Sequence, residues 1–208
     1  MLNINKKGAL FLILAGCAAP SGWAGTVTLF DNTAFVNGGA VVISQVNPAG
    51  DSFSTGAVAL NLTDFAAVLD LQNSATGATT FSLYSDNLET PGTQIATLGT
   101  IGDSSPTTTP ESYTISNLDI ALTANTRYWI LASATGNALW WSAADSSGTG
   151  TAGEFVAANQ IFPDSVGLFN MRVAGAVTPE PGTLVLVGSG LALALFRRIR
   201  PRRRLPSL

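Results

Sequence analysis

The residues of this 208-residue chain best suited to chemistry are its carboxylates, and they lack the partners that most hydrolytic machinery needs. There is no histidine, which removes Ser-His-Asp and Cys-His arrangements and most catalytic zinc sites. Lys6 and Lys7 are the only lysines, so a lysine-activated nucleophile is excluded from everything downstream of them. Two suitably spaced carboxylates hydrolyse a glycosidic bond without either residue, and twelve of the thirteen acids lie within 25–178. Acids in that number read as a solvated surface rather than a catalytic pair, and the chain is expected not to be an enzyme. Oxygen ligands also suit calcium. Asp31, Asn32, Asp145 and the stretch 146–150 are the candidates, although no EF-hand or calcium-repeat spacing is present. There is no Walker loop and no dinucleotide fingerprint, so no other cofactor is expected.

The aromatic residues Tyr128, Trp129, Trp140 and Trp141 carry the best prospects for binding. Adjacent residues in a strand point to opposite faces, so one of Trp140 and Trp141 is expected in the core. The other is then a candidate platform for sugar stacking or an interface. Arg127 and Arg172 are the only basic residues in 25–178. Against twelve acids they leave that segment at about −10, which argues against nucleic acid, whose affinity comes largely from Lys and Arg on phosphates. Arg127 is expected to pair with a nearby acid rather than to clamp a ligand.

The two ends of the chain carry a different kind of signal. Lys6 and Lys7 precede an apolar stretch at 8–16 (GALFLILAG), too short to span a bilayer, and Gly22-Trp23-Ala24 places small residues ahead of Gly25. Residues 1–24 therefore read as a signal peptide, cut by signal peptidase before Gly25. A second processing route stays open, because Leu14-Ala15-Gly16-Cys17 matches a lipoprotein box in which Cys17 becomes lipidated. If Cys17, the only cysteine, leaves with the signal, the mature protein has no thiol and no disulfide.

At the other end, Val177-Thr178-Pro179-Glu180-Pro181-Gly182-Thr183 is followed by the apolar run 184–196 (LVLVGSGLALALF) and then by Arg197, Arg198, Arg200, Arg202, Arg203 and Arg204. Pro179 and Pro181 lack amide donors and favour an extended strand that a processing enzyme can read. The run 182–196 is expected to be a transmembrane helix of roughly 22 Å at 1.5 Å per residue, short for a bilayer core but extended by snorkelling arginines. The arginines that follow hold the C-terminus in the cytoplasm by the positive-inside rule. Both ends thus predict one topology, with the body exported and the tail inside.

These tail residues resemble the PEP-CTERM sorting signal: a Pro-Glu-Pro motif, a hydrophobic segment and a basic end in that order. The resemblance implies cleavage near Pro179-Glu180-Pro181 by exosortase, an integral-membrane transpeptidase, in a Gram-negative bacterium that makes exopolysaccharide. The implied course is an inner-membrane-anchored precursor, then the cell surface or the extracellular matrix of a biofilm.

Between the ends, 25–176 reads as one all-β domain, a β-sandwich or jelly roll. Short β-branched and aromatic runs alternate with Gly, Asn, Asp, Ser and Thr clusters at spacings near ten residues. Strands are expected at 26–30, 40–46, 52–60, 66–71, 79–85, 93–98, 112–116, 127–134, 138–143 and 168–174. A turn is expected at 119–125, with exposed loops at 102–110 and 146–153. In order along this body come Phe30-Asp31-Asn32, Phe53-Ser54-Thr55-Gly56, Leu83-Tyr84-Ser85-Asp86 with Pro91-Gly92-Thr93, Leu122-Thr123-Ala124-Asn125-Thr126-Arg127-Tyr128-Trp129, and Trp140-Trp141. This series is similar to the choice-of-anchor R type of domain, an exported body whose relatives carry different anchoring tails. One departure is Asn47-Pro48-Ala49-Gly50-Asp51, where an Ala-Gln pair would be expected. The resemblance brings no catalytic residues. Two functions remain: a structural protein of the surface or matrix, and a carbohydrate-binding module that uses an exposed Trp.

Overall fold

The computed structural model describes residues 25–36, 38–70, 77–102, 109–136, 138–143, 149–150, 152–157, 159–162 and 169–177. The signal peptide with Cys17, and the tail from Thr178 with its expected membrane helix and arginine cluster, lie outside the described residues. Those described are all-β, with fourteen strands and no helix.

In chain order the strands are β1 (Thr26–Asp31), β2 (Gly39–Ile43), β3 (Ala49–Ser54), β4 (Leu60–Asp70), β5 (Ala78–Asp86), β6 (Pro91–Gly102) and β7 (Glu111–Ile115). Then come β8 (Ile120–Leu122), β9 (Arg127–Ala134), β10 (Ala138–Ser142), β11 (Thr149–Gly150), β12 (Ala152–Ala157), β13 (Gln160–Phe162) and β14 (Met171–Val177). They form two antiparallel sheets. The first runs β11-β1-β14-β4-β10-β2, with β7 and β8 paired to β4; the second runs β13-β12-β3-β9-β5-β6.

The inward faces of the two sheets share one hydrophobic core. In β9, Tyr128, Ile130, Ala132 and Ala134 alternate into it, the period-2 pattern of a strand with one buried face. In β5 the inward set is Phe81 and Leu83. Phe65 of the first sheet meets Phe81 of the second at 4.9 Å between ring centres, and Phe81 meets the edge-on Trp140 at 5.3 Å. At Gly50 the backbone of β3 packs tightly on β9: a Cβ added there would lie 2.4 Å from the Ile130 carbonyl oxygen. Only the missing side chain permits that approach.

Several expected boundaries move, for one recurring reason. The strand expected at 66–71 begins at Leu60. Leu60 and Leu62 point inward, and so do Phe65, Ala67 and Leu69, but the two sets are out of phase. A register shift opposite Ala174 and Gly175 absorbs the extra residue, which a strict alternation test reads as a break. Bulges likewise carry β6 to Pro91–Gly102, beyond the expected 93–98. The expected strand 52–60 is instead the end of β3, a loop at 55–59, and the start of β4. Part of the expected turn 119–125 is β8, which pairs Leu60 with Leu122. Strands β11 and β12 begin inside the loop expected at 146–153, and β12 pairs with both β3 and β13. The stretch 168–174 is replaced by β14, which runs on to Val177.

The β5–β6 hairpin turns through Asn87-Leu88-Glu89-Thr90, with the Asn87 amide donating to the Thr90 carbonyl at 2.8 Å. Its two central residues have positive φ, +53° at Leu88 and +66° at Glu89. That geometry favours Asn-Gly and strains L-residues with full side chains. Leu88 is nonetheless 90 % exposed at the tip.

Candidate functional site

The two adjacent tryptophans of β10 do point to opposite faces. Trp140 is fully buried: it stacks on Phe169 at 4.6 Å, meets Phe65 and Phe81 edge-on, and donates its indole N–H to the Asn170 carbonyl at 3.1 Å. Trp140 is therefore a core residue and is withdrawn as a ligand platform. The driving force is simple, since an indole of this size gains most when its whole surface leaves water and its N–H finds an acceptor.

Trp141 faces outward and is half-buried, with its indole N–H lacking a partner. The Asn170 amide donates to its backbone carbonyl at 2.7 Å, which brings β14 alongside. Two residues further on, Arg172 lies on the same outward face, half-buried, with its Nε buried and unpartnered. The β10–β4 pairing ends at Trp140 and Leu69, and beyond it Asn170 comes between the strands, accepting the Val68 amide on its carbonyl. Val68 stands outside the core cluster yet is only 3 % exposed. The end of β4 contributes Asp70, 4 % exposed, with a buried, unpartnered Oδ1. This outward face thus carries one partly exposed aromatic ring, while the unpartnered atoms near it are buried.

Trp129 was grouped with these aromatics, and it is fully buried although it stands outside the core cluster. Its N–H donates to Asp86 Oδ1 at 2.8 Å. Tyr128 turns inward, stacks on Phe53 at 6.0 Å, and accepts the Thr123 amide on its hydroxyl. Arg127 pairs with Glu154 of β12.

The calcium candidates are occupied differently. Asp31 Oδ1 accepts both the amide and the hydroxyl of Thr33. Asn32 is fully buried and its Oδ1 accepts the Met171 amide at 2.8 Å, which makes it a structural crosslink rather than a surface ligand. Asp145 and 146–148 lie outside the described residues, and no group of three or more His, Cys, Asp or Glu side chains positioned to hold a metal occurs among the described residues.

Sequence reasoning missed a buried polar set between the sheets. Asn170 donates from Nδ2 to the carbonyls of Asn32 and Phe35 at 2.8 and 3.3 Å. Asp51, fully buried, accepts the Ser52 amide on Oδ1 and the Phe169 amide on Oδ2. Nothing in Gly-Asp-Ser-Phe marks Asp51 as interior, because the donor that needs it lies 118 residues away.

The sorting residues follow the last strand after a single residue. Val177 closes β14 by pairing with Leu60, and Pro179, Glu180 and Pro181 come after Thr178. The profile of the PEP-CTERM protein-sorting motif matches residues 177–203. No curated protein matches the chain. The motif makes the chain an exported protein with a membrane-anchored precursor, and it implies exosortase as the processing partner.

Proposed function

We propose that the chain is a structural protein of the cell surface or exopolysaccharide matrix rather than an enzyme. In this reading signal peptidase cuts before Gly25, exosortase cuts at Pro179-Glu180-Pro181, and Arg197, Arg198, Arg200, Arg202, Arg203 and Arg204 hold the tail inside until then. The observation that carries it is the sorting motif at 177–203, set against the end of an all-β body. The fold supports a passive, durable role. The eight strands β1, β14, β4 and β7 against β3, β9, β5 and β6 follow the order of a jelly roll, an architecture used by many surface and lectin-like domains. The likeness to choice-of-anchor R domains points the same way.

Intact mass of the mature protein from its own host, with and without exosortase, tests this. The expected product begins at Gly25 and ends near 179–181, with the tail kept only in the exosortase-deficient strain. A tail kept in both strains would reject exosortase processing. A product beginning at a lipidated Cys17 would replace signal peptidase I cleavage with lipoprotein processing.

A second reading, a carbohydrate-binding module, is favoured by the outward patch alone. Trp141 offers a partly exposed ring on the outward face of β10, the kind of amphipathic aromatic surface on which a sugar ring stacks. The expected result is that Trp141→Ala abolishes retention on the host's exopolysaccharide while the unfolding midpoint stays nearly unchanged. Equal retention of both proteins would remove this reading. Trp140→Ala is no use for the purpose, because it removes core.

A further inference from the structure

The two chain ends that face the membrane leave the body side by side. Thr26, the first residue of β1, pairs with Ala176, and Val177 pairs with Leu60. Leu60 in turn pairs with Leu122, so the loop 55–59 and the turn 123–126 sit at that same end, joined by the Asn125 amide donating to the Gly56 carbonyl. In the second sheet Ser54 pairs with Arg127 and Ser85 with Tyr128, which places the 87–90 hairpin there too. Three exposed apolar side chains belong to this end: Leu88 at 90 %, Val58 at 47 % and Val27 at 40 %.

The tether is short. Six residues, 178–183, separate Val177 from the apolar run that starts at Leu184. Fully extended, they reach at most about 20 Å, against an interfacial layer of roughly 5–8 Å on each side of the bilayer core. A body held that close, by the end of a strand paired on both sides within its sheet, has little freedom to present any other end.

We propose that in the anchored precursor this end rests on the bilayer, with Leu88 and Val58 in the interfacial layer. The inference depends on the membrane-anchored precursor described above. The occupant is a lipid surface because the tether brings the end there and because its polar groups are largely engaged within the body. Arg127 is paired with Glu154, Asp119 accepts from Asn61, and Asp86 accepts from Trp129. Leu88 and Val58 supply the apolar contact, and the exposed carboxylate of Glu89 beside Leu88 stays at its aqueous edge, so the contact asks for no anionic lipid. The hairpin supplies an independent sign. Its backbone favours Asn-Gly, yet it carries Leu-Glu with an almost wholly exposed Leu88. Backbone strain of this kind clusters at functional sites, and here it carries an exposed apolar tip. Exposure by itself would not select this end, since Val46 is 76 % exposed at the opposite one.

The test uses the full chain with Cys17→Ser and a single nitrobenzoxadiazole-labelled cysteine from Leu88→Cys, Val58→Cys or Val46→Cys. It is reconstituted into phosphatidylcholine vesicles with brominated acyl chains. The expected result is loss of emission at positions 88 and 58, with emission retained at 46. Emission retained at all three sites in a protein that resists carbonate extraction would overturn the proposal and leave the anchoring intact. Release by carbonate would overturn the anchoring itself, and the proposal with it. A cysteine at 88 that is shielded from a water-soluble maleimide but unquenched by bromine would assign this end to another protein, such as exosortase or a second copy, and reject the lipid surface.

Discussion

Trp140→Ala is expected to lower the unfolding free energy of the mature protein by about 3–5 kcal/mol, the range for removing a large aromatic from a packed interior. Trp140 is the junction of the aromatic core. It contacts Phe65 of its own sheet, Phe81 of the facing sheet and the stacked Phe169. Truncation leaves a void among rings attached to rigid strands, which cannot collapse to fill it, and it removes one of the two donors to the Asn170 carbonyl, which keeps the Val68 amide. Trp140→Phe should fall between the two, because most of the ring volume survives and only the N–H is lost. Urea unfolding followed by far-ultraviolet circular dichroism gives both values. A change below about 1 kcal/mol for the alanine variant, within the range of surface substitutions rather than cavities, would show that the two sheets do not share this core.

The second large effect is expected at Asp51. Its carboxylate lies in the interior and accepts the amide of its neighbour Ser52 at 2.8 Å and that of Phe169 at 3.0 Å. Asp51 belongs to the second sheet, whereas Phe169 bridges to Ser142 of the first. The carboxylate therefore joins the sheets through a polar contact inside an apolar layer. Asp51→Ala leaves two amide hydrogens facing a cavity, at about 1–3 kcal/mol for each unsatisfied donor. The expected loss is about 2–5 kcal/mol. Asp51→Asn should also destabilise, because it keeps one acceptor but turns an NH2 group toward the other amide. Unfolding midpoints of the two variants against the parent measure this. Two variants indistinguishable from the parent would mean that the amide of Phe169 finds another acceptor in solution.

Much of the local structure was legible. The turn clusters and the β-branched and aromatic runs indicated an all-β domain. The strands 26–30, 127–134 and 138–143 lie within a residue of β1, β9 and β10. These are strands whose alternation is unbroken or whose turn residues stand close by. Where a bulge resets the phase, as between Leu62 and Phe65, the same test fails, because it assumes one register for the whole strand. Strands β11 to β13 were missed for another reason. They are short, β11 and β12 contain Gly or Ala, and pairing with β1, β3 and, for β13, with β12 holds them.

Pairing also decided what the polar residues do. Asp31 and Asn32 looked alike as possible calcium ligands, yet one closes a turn and one crosslinks the end of β1 to β14, whereas the acid partner expected for Arg127 is Glu154. No spacing rule separates those roles, since the partners lie as far apart as 139 residues.

The sequence by itself determined where the protein goes. The sorting signal is read by membrane and enzyme as a linear order of residue types: a Pro-Glu-Pro motif, an apolar run and a basic end. Such an order needs no fold to be legible. Only the tertiary structure decided which tryptophan of the pair enters the core, which acid is buried, and which end of the body both termini share. Each of those depends on strand register between distant segments, and a shift of one residue turns every side chain to the other face.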